Sequence, residues 1–314
     1  MAVNPVVSSL PTYVEQNKIG LLSKATLGNP TSANVNLVSG IKGATAINEI
    51  NTDVKLQAGA CGFTPKGAST FSQRVIDAKP IKVDMEFCDE NFRTTYANHL
   101  LRTAAGQRTL PFEEQITSDL ANGIAEALDA LQWMGDTASG NENLSQIDGY
   151  IKILGSAAGV VKVNVASGSS VYDAVKAVVA KIPAKAIKND TVVYVSPEDK
   201  MALVLDLVEK NLYHYAPDAE AELYFPGTRI KIVACPGLAG SKKLVAARES
   251  NMFFGTDGIG DESVFKLWFS EDADVWRLKV RFIAGVQVAF PDEVVLGTMA
   301  EFKGNNQWNN LWKP

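Results

Sequence analysis

The chain is poor in the side chains that most often carry chemistry: 314 residues contain two histidines and three cysteines. Cys61, Cys88 and Cys235 are odd in number and widely spaced, and no C-x-x-C pair occurs. That excludes a disulfide framework and a cysteine zinc site, and it suits a reducing compartment. The opening Met-Ala-Val-Asn-Pro-Val-Val has neither the basic region nor the apolar core of a secretory signal. The longest nearly uncharged apolar stretch, around Ile151 to Val161, is too short and too glycine-rich to span a bilayer. Basic excess is missing too: 30 Lys and Arg stand against 35 Asp and Glu, a net charge of −5, which argues against a broad surface for gripping nucleic acid. What remains is an ordinary globular composition, 46% apolar and 21% charged, too apolar for a disordered chain. A chain of this size buries roughly 75% of its unfolded surface, so it needs no staple to fold. Length allows one large domain or two of about 150 residues.

Residues 1–43 read as an arm. They are rich in Asn, Ser, Gly and Pro, and Val6, Val7, Leu10, Ile19, Leu21, Leu22 and Leu27 keep no sustained period. Such a segment builds no core of its own; it docks on something else or is a disordered terminus. From Ile50 to Ala58 apolar and polar residues alternate strictly, the pattern of a half-exposed strand. A Gly/Pro stretch over 59–67 follows, then extended runs over 71–76 and 81–87, so residues 44–88 read as a β-hairpin. Arms of about 12 residues reach roughly 40 Å. A two-stranded ribbon is marginal in water and needs a neighbour to lie on.

A short helix is expected over 90–101 and a longer one after it. Thr109 and Pro111 open the longer helix, Glu113 and Glu114 occupy its first turn, and Gly135 closes it. Ile116, Leu120, Ile124, Leu128 and Leu131 recur at helical spacing along a rod of about 36 Å. Residues 150–255 form an α/β lobe. It has a helix from Val171 capped by Ser169 or Ser170, a buried strand over 191–195, a helix begun by Ser196-Pro197, and strands over 229–234 and 243–247. In the last part every even position from Trp276 to Phe290 is apolar, with Arg277, Lys279 and Arg281 facing the other way. That is one very long strand, or two joined by a bend at Gly285.

The residue patterns that carry known chemistries are missing from the sequence. Nucleophilic catalysis needs a base beside a nucleophile, yet His99 and His214 read as structural or surface residues, and no G-x-S-x-G or H-E-x-x-H occurs. Asp136 to Asp148 lacks the alternating acids of a calcium loop, and Asp272 and Asp274 read as solvated turn residues. Gly255 to Gly260 is glycine-rich, but no helix follows whose N-terminus would take a phosphate. The stripe Arg277, Lys279, Arg281 suits phosphates, acids of a neighbouring subunit, or a plain exposed strand face. No catalytic, cofactor or metal site is expected, and the chain is not expected to be an enzyme. The unusual features are of shape. An arm, a long hairpin, a rod helix and a very long strand cannot all bury their faces in one compact unit, which favours assembly.

The order of these elements resembles the major capsid proteins of tailed phages with the Hong Kong 97-type fold, over nearly the whole chain. Ala127-Leu-Asp-Ala-Leu-Gln-Trp-Met-Gly135-Asp136, a polar loop and Ile147-Asp-Gly-Tyr-Ile151 look like the family's spine helix and its glycine-bearing exit, with Thr137 where a second glycine is common. Val193-Tyr-Val-Ser-Pro197 matches a strand-to-helix turn, and Leu278-Lys-Val-Arg-Phe282 with Gly285-Val-Gln-Val-Ala-Phe-Pro291 matches the closing strands. The resemblance implies an α+β chain. It divides into an N-terminal arm (1–43), an extended-loop hairpin (44–88), a peripheral domain with the spine helix (89–149), an α/β axial domain (150–255), and peripheral-domain strands with a C-terminal tail (256–314).

It further implies a shell protein that tiles an icosahedral head as hexamers and pentamers, located in the virion and assembled in the host bacterial cytoplasm. Its partners are then copies of itself, a separate scaffolding protein and a portal, with packaged double-stranded DNA contacted weakly and no membrane. With about 40 residues before the hairpin there is no room for a fused scaffolding domain, so little proteolytic maturation is expected. Subunit-interface candidates are Ile50, Val54, Leu56, Phe63, Lys66, Phe71 and Val75 on the hairpin and Arg277, Lys279 and Arg281 on the long strand. Some relatives crosslink an extended-loop lysine to a neighbour, and Lys66 lies near the tip here. The alternatives are an encapsulin-like nanocompartment shell, a tail or connector component, and an α/β enzyme with a site in the 150–255 lobe.

Overall fold

A computed structural model describes residues 9–59, 65–88, 94–96, 112–166, 168–212, 222–257 and 263–299, together with Glu90 and His99. The chain forms two compact units, each gathered from separated stretches: Met1–Thr26, Leu37–Ala121 and Phe253–Phe290 in the first, and Leu27–Asn36, Asn122–Met252 and Pro291–Pro314 in the second.

The first unit is organised by one long strand. Strand β12 (Val275–Val288) pairs antiparallel with β11 (Val264–Ser270) on one side and with β4 (Lys79–Cys88) on the other. The sheet continues through β10 (Met252–Thr256) to β1 (Asn36–Ser39). Trp276, Leu278, Val280, Phe282, Ala284, Val286 and Val288 are all buried, as strict alternation on a half-buried strand requires. The strand runs unbroken through Gly285. A Cβ there would lie 2.7 Å from Ala78 Cα, so the glycine permits close backbone packing and makes no bend. Ile41, Ile76, Ala78 and Ile283 fill the core beside it.

Residues 10–27 are not irregular. They form helix α1 (Leu10–Leu27), which buries Leu10, Val14, Leu21, Leu22, Ala25 and Thr26. Ser9 Oγ donates to Glu113 at 2.6 Å, and Lys24 Nζ donates to the Ser118 hydroxyl, tying this helix to the first turns of the long one. The buried positions include small and polar side chains, which is why hydrophobicity shows no period here. The helix expected over 90–101 falls mostly outside the described residues; Glu90, Thr94–Tyr96 and His99 are helical.

The long helix is present; Thr109 and Pro111, expected to open it, lie outside the described residues. Counting a short α2 (Pro30–Ala33) before it, it is α3 (Phe112–Met134), 23 residues long, with Ile124, Leu128 and Leu131 buried. It is followed by α4 (Tyr150–Ser156).

The second unit is a six-stranded sheet in the order β5-β13-β9-β6-β8-β7. These strands are Val161–Val165, Val295–Met299, Lys243–Arg248, Thr191–Val195, Lys231–Ala234 and Leu223–Tyr224. Helices α5 (Val171–Val179) and α6 (Pro197–Glu209) cover the sheet. Val171, Ala174, Val175 and Val178 of α5 and Leu203 and Leu207 of α6 share a core with Val193, Val195, Leu244 and Ala246. Ser170 and Ser196 each accept from a backbone N–H three residues on, at Asp173 and Asp199. Every residue of β6 is buried, as a strand covered on both faces must be. Sequence order groups residues 256–314 together, but β13 belongs to this second sheet, where it pairs parallel with β5 and antiparallel with β9.

Candidate subunit interfaces

Among the described residues no group of three His, Cys, Asp or Glu is placed to hold a metal ion, and no helix is long and apolar enough to cross a membrane. His214 and Phe63 lie outside the described residues. His99 rests edge-on against Phe112, ring centroids 5.7 Å apart. Asp272 and Asp274 are exposed in the turn between β11 and β12.

The hairpin consists of β2 (Thr45–Val54) and β3 (Gly67–Ile76), a two-stranded sheet running from Thr45↔Ile76 to Val54↔Gly67. Ten residues per arm reach about 33 Å. The strand starts five residues earlier than the alternation suggests and ends before Leu56, which is 97% exposed. The run over 81–87 is not part of the hairpin; it lies in β4, beside β12. The register puts Ala46, Asn48, Ile50, Thr52 and Val54 on one face with Gly67, Ser69, Phe71, Gln73 and Val75. Ile50 stands directly across from Phe71, and the two are 58% and 73% exposed, with Val54 at 74% and Val75 at 46%.

Four of the interface candidates therefore form one apolar stripe, crossed by polar rungs. Gln73 donates to Asn48 at 2.8 Å and Ser69 to Thr52 at 3.2 Å. Lys66, next to β3, is exposed. The base of the ribbon is secured: Arg74 donates to Gln287, whose amide in turn donates to the Val75 carbonyl at 2.7 Å. Hydrogen exchange on free subunits is accordingly expected to show the amides of 48–54 and 67–72 opening far more readily than those of 278–288. Equal protection in both segments would contradict this.

The basic stripe is less free than the ribbon. Arg277 faces Glu86 across the ladder and donates to it at 2.9 Å. Lys279 faces Asp84, and Arg281 faces Lys82, which pairs with Asp84 at 3.1 Å. Two acids on β4 thus offset part of the charge, a solvated cross-strand arrangement of small energetic worth.

At the end of α3 the two glycines singled out by the sequence press backbone on backbone. A Cβ on Gly135 would lie 2.5 Å from the Ile147 carbonyl, and one on Gly149 2.7 Å from Gly135 N and from the Trp133 carbonyl. Gly149 N–H donates to the Gly135 carbonyl at 2.8 Å. Thr137 has its own task here: its N–H and hydroxyl both donate to Asp148, at 2.9 and 2.7 Å. Lys152 closes the loop by donating to Asp136 at 2.6 Å and Asp148 at 2.7 Å. Partial burial alone would push the Asp148 carboxyl up. The hydrogen bonds from Lys152 and Thr137 outweigh it and hold the group at about 2. The stability tied to this group is present above the ordinary carboxylate range and is lost as pH falls through about 2. Lys152→Met is expected to move the Asp148 titration, followed by carboxyl NMR, back toward the ordinary range; an unmoved titration would sink the assignment.

A buried polar cluster in the second unit was not foreseen. Trp133 Nε1 donates to Thr31 Oγ1 at 2.7 Å, Gln132 to Ser32 Oγ at 3.1 Å, and Tyr194 to the Asn34 carbonyl at 2.6 Å. Asp129 accepts from Gly237 N–H at 2.5 Å, and its burial raises its carboxyl. Burial also pushes the Cys235 thiol up to about 12, which makes it a poor nucleophile. The cluster pins residues 31–34. Its available signal is Asp129, Gln132 and Trp133 near the end of an apolar helix.

No protein-family model and no curated protein matches the sequence. Solved structures do match. A chain of the satellite phage P4 procapsid, determined with its size determination (Sid) protein, is similar with a TM-score of 0.57 and 14% identity, over 92% of this chain and 100% of that one. A virus-like particle from Pyrococcus furiosus gives 0.53 and 10%, over 90% and 98%. The capsid of the native GTA particle gives 0.55 and 10%, over 89% and 91%. Likeness of this extent establishes the fold: the chain has the Hong Kong 97-type fold.

Proposed function

We propose that the chain is the major capsid protein of a tailed double-stranded DNA phage or prophage, self-assembling as hexamers and pentamers into an icosahedral head. The observation that carries this reading is the hairpin. Beyond its base, the ribbon exposes an apolar stripe of Ile50, Val54, Phe71 and Val75, and a ribbon of this kind is marginal alone. In a shell, a neighbouring copy covers the stripe, and the contact is heterologous, so it repeats around a ring until the ring closes. The fold, shared over about nine-tenths of the chain with phage procapsid and GTA capsid chains, supports the same reading. DNA is enclosed and weakly held, in keeping with a net charge of −5 and a basic stripe partly offset by Glu86 and Asp84. A separate scaffolding protein and a portal complete the head, and the finished subunit resides in the virion.

The test is negative-stain microscopy of the expressed, concentrated protein, with nuclease treatment of whatever particles form. Closed shells protecting DNA in the native source bear the proposal out. Shells holding a cargo protein place the chain among nanocompartments, tubes or rings among tail or connector components, and a stable solitary monomer at high concentration overturns the shell reading altogether.

A further inference from the structure

Helix α6 has two apolar faces. Its inner face buries Leu203 and Leu207 in the core of the second unit. On the opposite side Met201, Leu205 and Val208 are 68%, 60% and 55% exposed. Spacings of four and three residues hold these side chains in one stripe along the axis. A surface helix needs a single apolar face, and a contiguous exposed patch of this kind marks a contact. The stripe has an acidic border: Glu198 and Glu209 are exposed along one flank. Beside them runs an open groove of about 550 Å³ whose lining includes Glu198, Asp206, Glu209 and Lys242.

A matching surface exists on the same unit. Ile187 is 56% exposed, and it stands in the connection entering β6, flanked by the exposed Lys181 and Lys188 and by Lys185, which pairs with Asp292. This patch is apolar with a basic border, while the stripe is apolar with an acidic one. Both are exposed, so they do not meet within one chain. We infer that the outer face of α6 docks on the Lys181–Lys188 segment of a second copy, head to tail. Contacts of this type generate a closed ring when the rotation closes, and opposite borders fix partner and register. The inference rests on the shell reading and names a contact within it.

The experiment is a charge-swap cycle in the full-length chain, read by sedimentation and negative stain. E198K/E209K alone and K181E/K188E alone are each expected to cut the assembled fraction at least tenfold, and the four substitutions together to restore it. M201D/L205D is expected to block assembly while the subunit keeps its circular dichroism and melting temperature, since both side chains face solvent. Normal assembly of all variants would overturn the docking, and failure of the fourfold variant to recover would overturn the choice of partner segment. If the unaltered chain forms no particles, the shell reading itself falls, a result distinct from either.

Discussion

Subunits carrying Ile50→Asp and Phe71→Asp are expected to fold as the unaltered chain does and to form no closed shells. The two side chains face each other across the hairpin ladder and are 58% and 73% exposed, so the free subunit loses little when they become charged. Surface changes of this kind usually fall within about ±0.5 kcal/mol. Under the shell reading proposed above the same pair is buried under a neighbour, and each unpaired buried carboxylate then costs several kcal/mol. The penalty recurs at every contact of every ring. The melting temperature should therefore hold within a degree or two, while sedimentation shows the assembled fraction falling below detection. Shells of normal yield from this variant would mean that the hairpin's stripe faces solvent in the particle.

The largest effect on the isolated subunit is expected at Trp133. It is fully buried, its ring centroid lies 5.1 Å from that of Tyr150 and 5.2 Å from that of Tyr194, and its Nε1 donates to Thr31. Truncating such a side chain to alanine costs about 3–5 kcal/mol through lost burial and the cavity left behind. Trp133→Phe keeps most of the packing and removes the hydrogen bond, so it should cost less, about 1–3 kcal/mol for the orphaned partner and the smaller ring. Denaturant midpoints of the two variants separate the contributions. A Trp133→Ala midpoint close to that of the unaltered chain would show that the cluster does not hold the unit together.

Much of this was legible from periodicity. The even-numbered apolar residues of β12, the helical spacing from Ile116 to Leu131, and the Ser-Pro opening of α6 are local signals, and each element formed where its signal lies. The hairpin's existence was legible; its register was not, because a loop of that length does not fix which residues stand opposite one another. Helix α1 stayed hidden because it buries Ala25 and Thr26 beside leucines and exposes Ile19 at 62%. Strand β13 gave no such signal, and nothing in its five residues says which sheet it joins. The cluster around Asp129 escaped for a similar reason: polar residues in a helix read as surface until a partner some hundred positions away is known. Of the interface candidates, Ile50, Val54, Phe71 and Val75 came together on one face, whereas Arg277 found its partner within the chain.

The place of β13 bears on how the polypeptide matures. Val295–Met299 sits between β5 and β9, and its parallel partner, β5, precedes it by some 130 residues. Until the ribosome has released this stretch, the nascent second unit lacks the strand that joins the edge strand β5 to β9, and pairing so distant in sequence is slow. Polypeptides from which Val295–Met299 has yet to emerge therefore lack a finished lobe.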